Sequence, residues 1–220
     1  MRDAALRCVD VTVSGLTFEC DVAGSEGSPL VLLLHGFPQT SHTWRHEFPA
    51  LAQAGFLAIA PNQRGYSPRA RPEGVESYKI EALIADALAI VDHFGSAHFH
   101  LVGHDWGGQL AWLIAAQCPE RLRSLSVLSR PHPAAFRGAL KSDPEQAQRS
   151  RHHSAFLDPE SARRLLADDA ARLRKMLASQ GVPPEDVAAY LERLNDEAAL
   201  DAAINWYRPE SNRLATANVP

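Results

Sequence analysis

The residues of this sequence best placed to do chemistry begin at Leu101-Val102-Gly103-His104-Asp105-Trp106-Gly107-Gly108, where an apolar run passes into Gly-x-Asp-x-Gly-Gly and then into the apolar helical segment Gln109 to Cys118. Small residues at 103, 107 and 108 suit a tight, strained strand-to-helix turn that pushes one side chain out over a sheet edge. That side chain is Asp105. Backbone N–H groups and the dipole at a helix N-terminus favour its anion and keep it ionised, which is what a carboxylate nucleophile needs. The plainer reading is an N-cap aspartate; glycines on both sides favour the nucleophile. A second segment, His35-Gly36-Phe37-Pro38-Gln39, follows the apolar run Pro29 to Leu34. Its turn presents the backbone N–H of Phe37 facing that of Trp106, the arrangement of an oxyanion hole. His35 reads as a histidine that packs this turn at the edge of a substrate pocket, alongside Pro38 and His104, rather than as a base.

Around these residues, short apolar runs alternate with amphipathic ones, the pattern of a mainly parallel sheet with crossover helices. Arg7 to Val13 and Leu16 to Ala23 alternate as a hairpin around Ser14-Gly15; Pro29 to Leu34, Phe56 to Pro61, His98 to Val102 and Leu122 to Leu128 read as buried strands. Between them, a helix is expected from the N-cap Ser77 to Gly95, with Ile80, Leu83, Ile84, Ala87, Leu88 and Val91 on one stripe. Each chemistry-bearing turn, including Asn62-Gln63-Arg64-Gly65-Tyr66 after the Phe56 run, then lies outside the carboxyl ends of strands, where open α/β sheets bind ligands. After Leu128 the texture changes. Ser129-Arg130-Pro131-His132-Pro133 breaks the pattern, and from Asp158 to Tyr207 the chain is rich in Ala, Leu and Arg with helical punctuation at Asp158-Pro159-Glu160, Gly181 and Pro183-Pro184-Glu185. The charges over Glu160 to Arg174 read as a solvated helix face.

The bulk figures exclude several classes. At 220 residues with 45% hydrophobic residues, 22% charged and a net charge of −4, the chain is long enough for a core, is not compositionally disordered and is not a basic nucleic-acid binder. No apolar stretch approaches the ~18 residues of a membrane span. The three cysteines, Cys8, Cys20 and Cys118, are odd in number and lack C-x-x-C spacing, so no disulfide framework is expected and a reducing cytoplasm suits them. The ten histidines, all between His35 and His153, show no ligand spacing, and neither a metal nor an organic cofactor is expected.

Together the three turns and the later Asn205-Trp206-Tyr207-Arg208 resemble the α/β-hydrolase fold superfamily, in its aspartate-nucleophile branch of epoxide hydrolases and haloalkane dehalogenases. The resemblance implies a core over residues 1–129, an inserted helical cap over 130–210, and attack of Asp105 on an electrophilic carbon to give an alkyl-enzyme ester, with Phe37 and Trp106 as oxyanion donors. It implies that the substrate is a small apolar epoxide or haloalkane. For an epoxide, Tyr207 donates to the ring oxygen; where a second tyrosine is expected stands His153, either a substitute donor or an ordinary polar residue. Tyr190 either enters the site or packs its own helix. A haloalkane would need a second halide donor, for which Phe37 is not an asparagine and Trp206 is the one cap tryptophan, so epoxide is favoured. The acid and base histidine are implied after later core strands. Residues 211–220 read as a lead into them, so the last strands and helices of the core, with that acid and base, are expected to be absent from this chain. That leaves open a non-catalytic, ligand-binding remnant, a homo-oligomer or a complementing chain. Ser129 and Arg130, at an alternative acid position, cannot serve there.

Overall fold

In the computed structural model, residues 5–210 and 212 are described; residues 213–220, within the stretch read as a lead into a further strand, lie outside them. Six strands form one sheet among these residues: β1 (Arg7–Val13), β2 (Leu16–Ala23), β3 (Leu30–Leu34), β4 (Leu57–Pro61), β5 (Phe99–His104) and β6 (Leu122–Leu128), in the order β1-β2-β4-β3-β5-β6. β1 and β2 pair antiparallel around Ser14-Gly15, both at positive φ, and β2 pairs antiparallel with β4. β4, β3, β5 and β6 run parallel. Their carboxyl ends therefore deliver Asn62, His35, Asp105 and Ser129 to one edge.

Side-chain alternation divides the core. Leu30, Leu32 and Leu34 of β3 and Leu57 and Ile59 of β4 share one face with Phe18, Cys20 and Val22, covered by α2 (Ile80–His93) and α3 (Trp106–Gln117). Val31, Leu33, Ala58 and Ala60 face the other way, against Trp44, at the end of the 3-10 turn Ser41–Trp44, and Phe48 of α1 (Glu47–Gln53). Each fully buried Leu or Phe stabilises the fold by roughly 1.5–3 kcal/mol, so both covering layers are held firmly. β6 departs from the buried run expected of it. It is an edge strand whose residues alternate between half-buried and exposed, with Leu128 at 45% exposure, because only β5 flanks it among the described residues.

Two local starts also shift. The α2 helix begins after Lys79, because Val75–Tyr78 forms a separate 3-10 turn and the Ser77 hydroxyl donates to Glu73 O instead of capping. The α3 helix begins at Trp106, three residues before Gln109.

The later half is helical: α4 (Pro133–Ser142), α5 (Pro144–Arg149), α6 (His152–Ala155), α7 (Ser161–Ser179), α8 (Pro184–Arg193) and α9 (Glu197–Ile204), then a 3-10 turn Asn205–Tyr207. The charged face of α7 is interrupted at Ala167–Ala170, where Asp168, Asp169 and Ala170 take positive φ. Polar links tie this layer to the strand ends. Arg193 pairs with Glu19, Asp186 takes both His42 (2.9 Å) and Arg45, and Trp206 Nε1 donates to Arg64 O at 2.8 Å. Arg64 is itself fixed by a bidentate pair with Asp86 (2.6 and 2.7 Å). Buried at both ends, that pair makes the turn after β4 a rigid seat for the indole.

Candidate active site

Asp105 sits between β5 and α3 at φ 52 and ψ −115, a backbone conformation that costs a non-glycine residue on the order of 1–3 kcal/mol and needs surroundings that over-determine it. Those surroundings are present. Asp105 N–H donates to Leu128 O (3.2 Å), Gly107 N–H to His35 O (3.1 Å) and Gln109 N–H to Asp105 O (3.0 Å), tying the turn to β6, to the end of β3 and to α3. A Cβ on Gly107 would collide with Leu34 O and lie 2.8 Å from His35 O, and one on Gly103 would strike the Gly107 carbonyl. Both glycines are therefore required by close backbone approach.

The carboxylate points at the turn after β3. Phe37 N–H donates to Asp105 Oδ1 at 3.0 Å, and a Cβ on Gly36 would lie 2.6 Å from that oxygen. Gly36 thus opens the space the carboxylate occupies. The Phe37–Pro38 peptide bond is cis and Pro38 is buried in the turn.

Across the carboxylate stands Tyr207, 4% exposed, from the end of the helical layer. Its ring meets those of Trp106 (5.1 Å), Phe37 (5.5 Å), Phe156 (4.9 Å) and His153 (5.4 Å) edge to face. Burial, then the charge of Asp105, raises its phenol well above the ordinary value, against a smaller opposite pull from the Trp106 side chain. The phenol is therefore a proton donor throughout the neutral range. His153, also packed against His152 (4.5 Å), is lowered to about 4 by burial, His152 and Arg130, so at neutral pH its ring is uncharged and offers one N–H.

The family model for the alpha/beta hydrolase fold matches residues 29–200. The chain belongs to the alpha/beta hydrolase fold family. Among curated relatives, it is 35% identical over 208 residues to the AB hydrolase superfamily protein YfhM of Bacillus subtilis, covering 92% of this chain and 73% of that protein. It is 36% identical over 210 residues to mouse epoxide hydrolase 4, covering 91% of this chain and 58% of that protein. The chain thus spans between about three-fifths and three-quarters of the length of these relatives. In three dimensions it is similar to the Bacillus megaterium epoxide hydrolase solved with an inhibitor, with a TM-score of 0.84 and 28% identity over 96% of this chain and 75% of that one.

Within this fold the expected site residues separate into two groups. Asp105, Phe37, Trp106, Tyr207 and His153 converge. His35 does not reach the pocket: it is fully buried, its Nε2 accepts from Gln63 N–H (3.3 Å), and its Nδ1 must then carry the proton donated to Gly36 O (3.0 Å). Burial lowers it to about 4, so it is a neutral pillar under the turn. Trp206 is also out of the pocket. At 1% exposure it packs between Tyr66 (6.1 Å) and Trp106 (5.8 Å), with its N–H spent on Arg64 O, and so has no donor for a halide. Tyr190 packs on His42 (5.8 Å) at the α8 contact. His104 is half-buried beside Asp105, its Nδ1 without a hydrogen-bond partner among the described residues, and burial lowers it.

Phe156 and Phe136, which no local pattern singles out, extend the aromatic wall through Tyr207 and His153, and Tyr66, from the turn after β4, has a phenol raised by burial and by the Asp105 charge. Among the described residues no group of three His, Cys, Asp or Glu side chains is placed to hold a metal ion, and no helix is long and apolar enough to cross a membrane.

Proposed function

We propose that this hydrolase opens small, largely apolar epoxides through a covalent ester on Asp105. The carrying observation is the meeting of three groups at one point: the Asp105 carboxylate, the Phe37 N–H bound to its Oδ1 at 3.0 Å, and the Tyr207 phenol, whose ring contacts Phe37 and Trp106. A carboxylate oxygen attacks one ring carbon, that C–O bond breaks, and the released alkoxide takes its proton from Tyr207, with the neutral His153 N–H as a second donor. Water then adds to the ester carbonyl, the oxyanion rests on the N–H groups of Phe37 and Trp106, and a diol departs. Aromatic walls from Phe37, Phe156 and Trp106 suit an apolar substituent.

In this reading the helical stretch 130–210 is the cap over a core formed by residues 1–129. The acid and base histidine of the second step are assigned to no described residue. The one histidine–carboxylate pair among them, His42 with Asp186, joins the turn after β3 to α8 and makes no hydrogen bond to Asp105.

Epoxides are favoured over haloalkanes because the buried phenol has a proton to give to an alkoxide, whereas the Trp206 N–H is already engaged. Intact-mass measurement with styrene oxide and with 1-bromobutane at equal concentration tests this. Faster labelling by the epoxide, lost in Asp105→Asn, is expected; faster labelling by the bromoalkane would reverse the assignment.

A further inference from the structure

We propose that Arg130, with Gln109, forms a carboxylate-binding subsite beside Asp105, so that the favoured epoxides carry an acidic group next to the ring; this rests on the epoxide reading of the same site. Arg130 follows β6 directly after Ser129, which turns at φ 55. A Cβ on Gly108 would lie 2.9 Å from Arg130 Cβ, so this glycine gives the arginine room over the first turn of α3, the helix that starts beside Asp105. The guanidinium is pinned on two sides. Its Nε donates to Gln109 Oε1 at 3.0 Å, and its Cζ stacks 4.4 Å over the Phe136 ring, itself 6.4 Å from His153. The backbone is held as well, Arg130 O accepting from Trp112 Nε1 at 3.2 Å.

What this cation lacks among the described residues is an ion-pair partner. No carboxylate of theirs forms an ion pair with Arg130; the negative charge it feels is that of Asp105, whose Oδ1 accepts from Phe37 N–H. Half-buried guanidinium groups are ordinarily paired, because partial dehydration of an unpaired charge is costly. A second unmet donor adjoins it. Gln109 is 1% exposed, and because its Oε1 takes the Arg130 N–H, the amide Nε2 must be its other end; Nε2 has no hydrogen-bond partner among the described residues. Gln109 takes up only Nε of Arg130, and the terminal N–H groups of the planar guanidinium match the two oxygens of a carboxylate.

The test uses the whole chain and two matched pairs of probes. Equilibrium binding of trans-cinnamate and trans-cinnamamide, which do not react, is measured by calorimetry; alkylation of Asp105 by trans-3-phenylglycidate and by trans-β-methylstyrene oxide is followed by intact mass. The unaltered chain is expected to bind the acid roughly 10- to 100-fold more tightly than the amide, the range of a charge-assisted pair of hydrogen bonds. Arg130→Gln should abolish that preference and lower the acid-to-neutral ratio of alkylation rates by a similar factor, whereas Arg130→Lys, which keeps the charge and guards against a folding artefact, should retain part of both. Equal binding of acid and amide by the unaltered chain would overturn the proposal, as would a preference that persists in Arg130→Gln. Equal slowing of both epoxides in that variant, with the cinnamate preference intact, would instead make Arg130 a counter-ion of Asp105. If no epoxide labels Asp105 but the Arg130-dependent preference for cinnamate is found, the epoxide reading fails and the anion subsite stands.

Discussion

Tyr207→Phe is the perturbation that separates a proton donor from a packing ring, since it removes one oxygen and leaves the contacts with Phe37, Trp106, Phe156 and His153 in place. Stability should fall only by about 1 kcal/mol, the worth of one lost polar interaction of a buried hydroxyl. Alkylation should fall far more. A positioned general acid contributes roughly 10²- to 10⁴-fold, and His153, which offers one N–H in the same pocket, should hold the loss near the lower end, about 10²-fold. The sign of the pH dependence follows from the raised phenol: a donor whose value lies well above 10 stays protonated through neutral and mildly alkaline solution, so alkylation in the unaltered chain should show no alkaline loss up to about pH 10. Quenched-flow or manual quench followed by intact mass gives the rate of ester formation, and a thermal melt gives the stability. A Tyr207→Phe rate within about twofold of the unaltered chain, at unchanged melting temperature, would refute the donor role.

His35, lowered to about 4 by burial, is neutral in the fold but protonates near pH 6.5 when unfolded, so stability is lost as pH falls from about 6.5 towards 4, by about 3 kcal/mol over the interval; His35→Gln, measured by denaturant melts at pH 7 and pH 4.5, should flatten this dependence. Gly107→Ala forces a Cβ into the carbonyls of Leu34 and His35, which should cost roughly 1–3 kcal/mol and slow alkylation in the same variant, both read by melting and mass. Trp206→Phe leaves Arg64 O without its donor, costing roughly 1–3 kcal/mol in melting free energy, yet should leave the preference for epoxide over bromoalkane intact, because that N–H never faces the substrate.

Much of this arrangement is legible in the residues. Unbroken apolar runs such as Leu30 to Leu34 and Leu57 to Pro61 mark strands buried on both faces, and Ser14-Gly15 marks the hairpin, because these are local signals with one good solution. The glycines at 103, 107 and 108 announce the turn around Asp105 for the same reason. What the sequence concealed depends on distant partners. β6 reads as buried by composition, but its burial is set by how many strands flank it. Ser77 looks like an N-cap, and only the preceding 3-10 turn turns its hydroxyl to Glu73. His35 and Trp206 have side chains suited to a pocket; the neighbours that consume their polar atoms, Gln63 and Arg64, lie 28 and 142 residues away. Arg130 lies in a break between patterns and gains meaning only when α3 brings Gln109 against it.

The most direct test of the central claim is where the covalent bond forms. After incubation of the chain with styrene oxide, digestion and fragmentation should find the mass of one intact epoxide on the peptide containing Asp105, bound as an ester that hydroxylamine cleaves, and none in Asp105→Asn. Labelling at any other side chain, or styrene glycol formed at an undiminished rate by Asp105→Asn, would contradict the account.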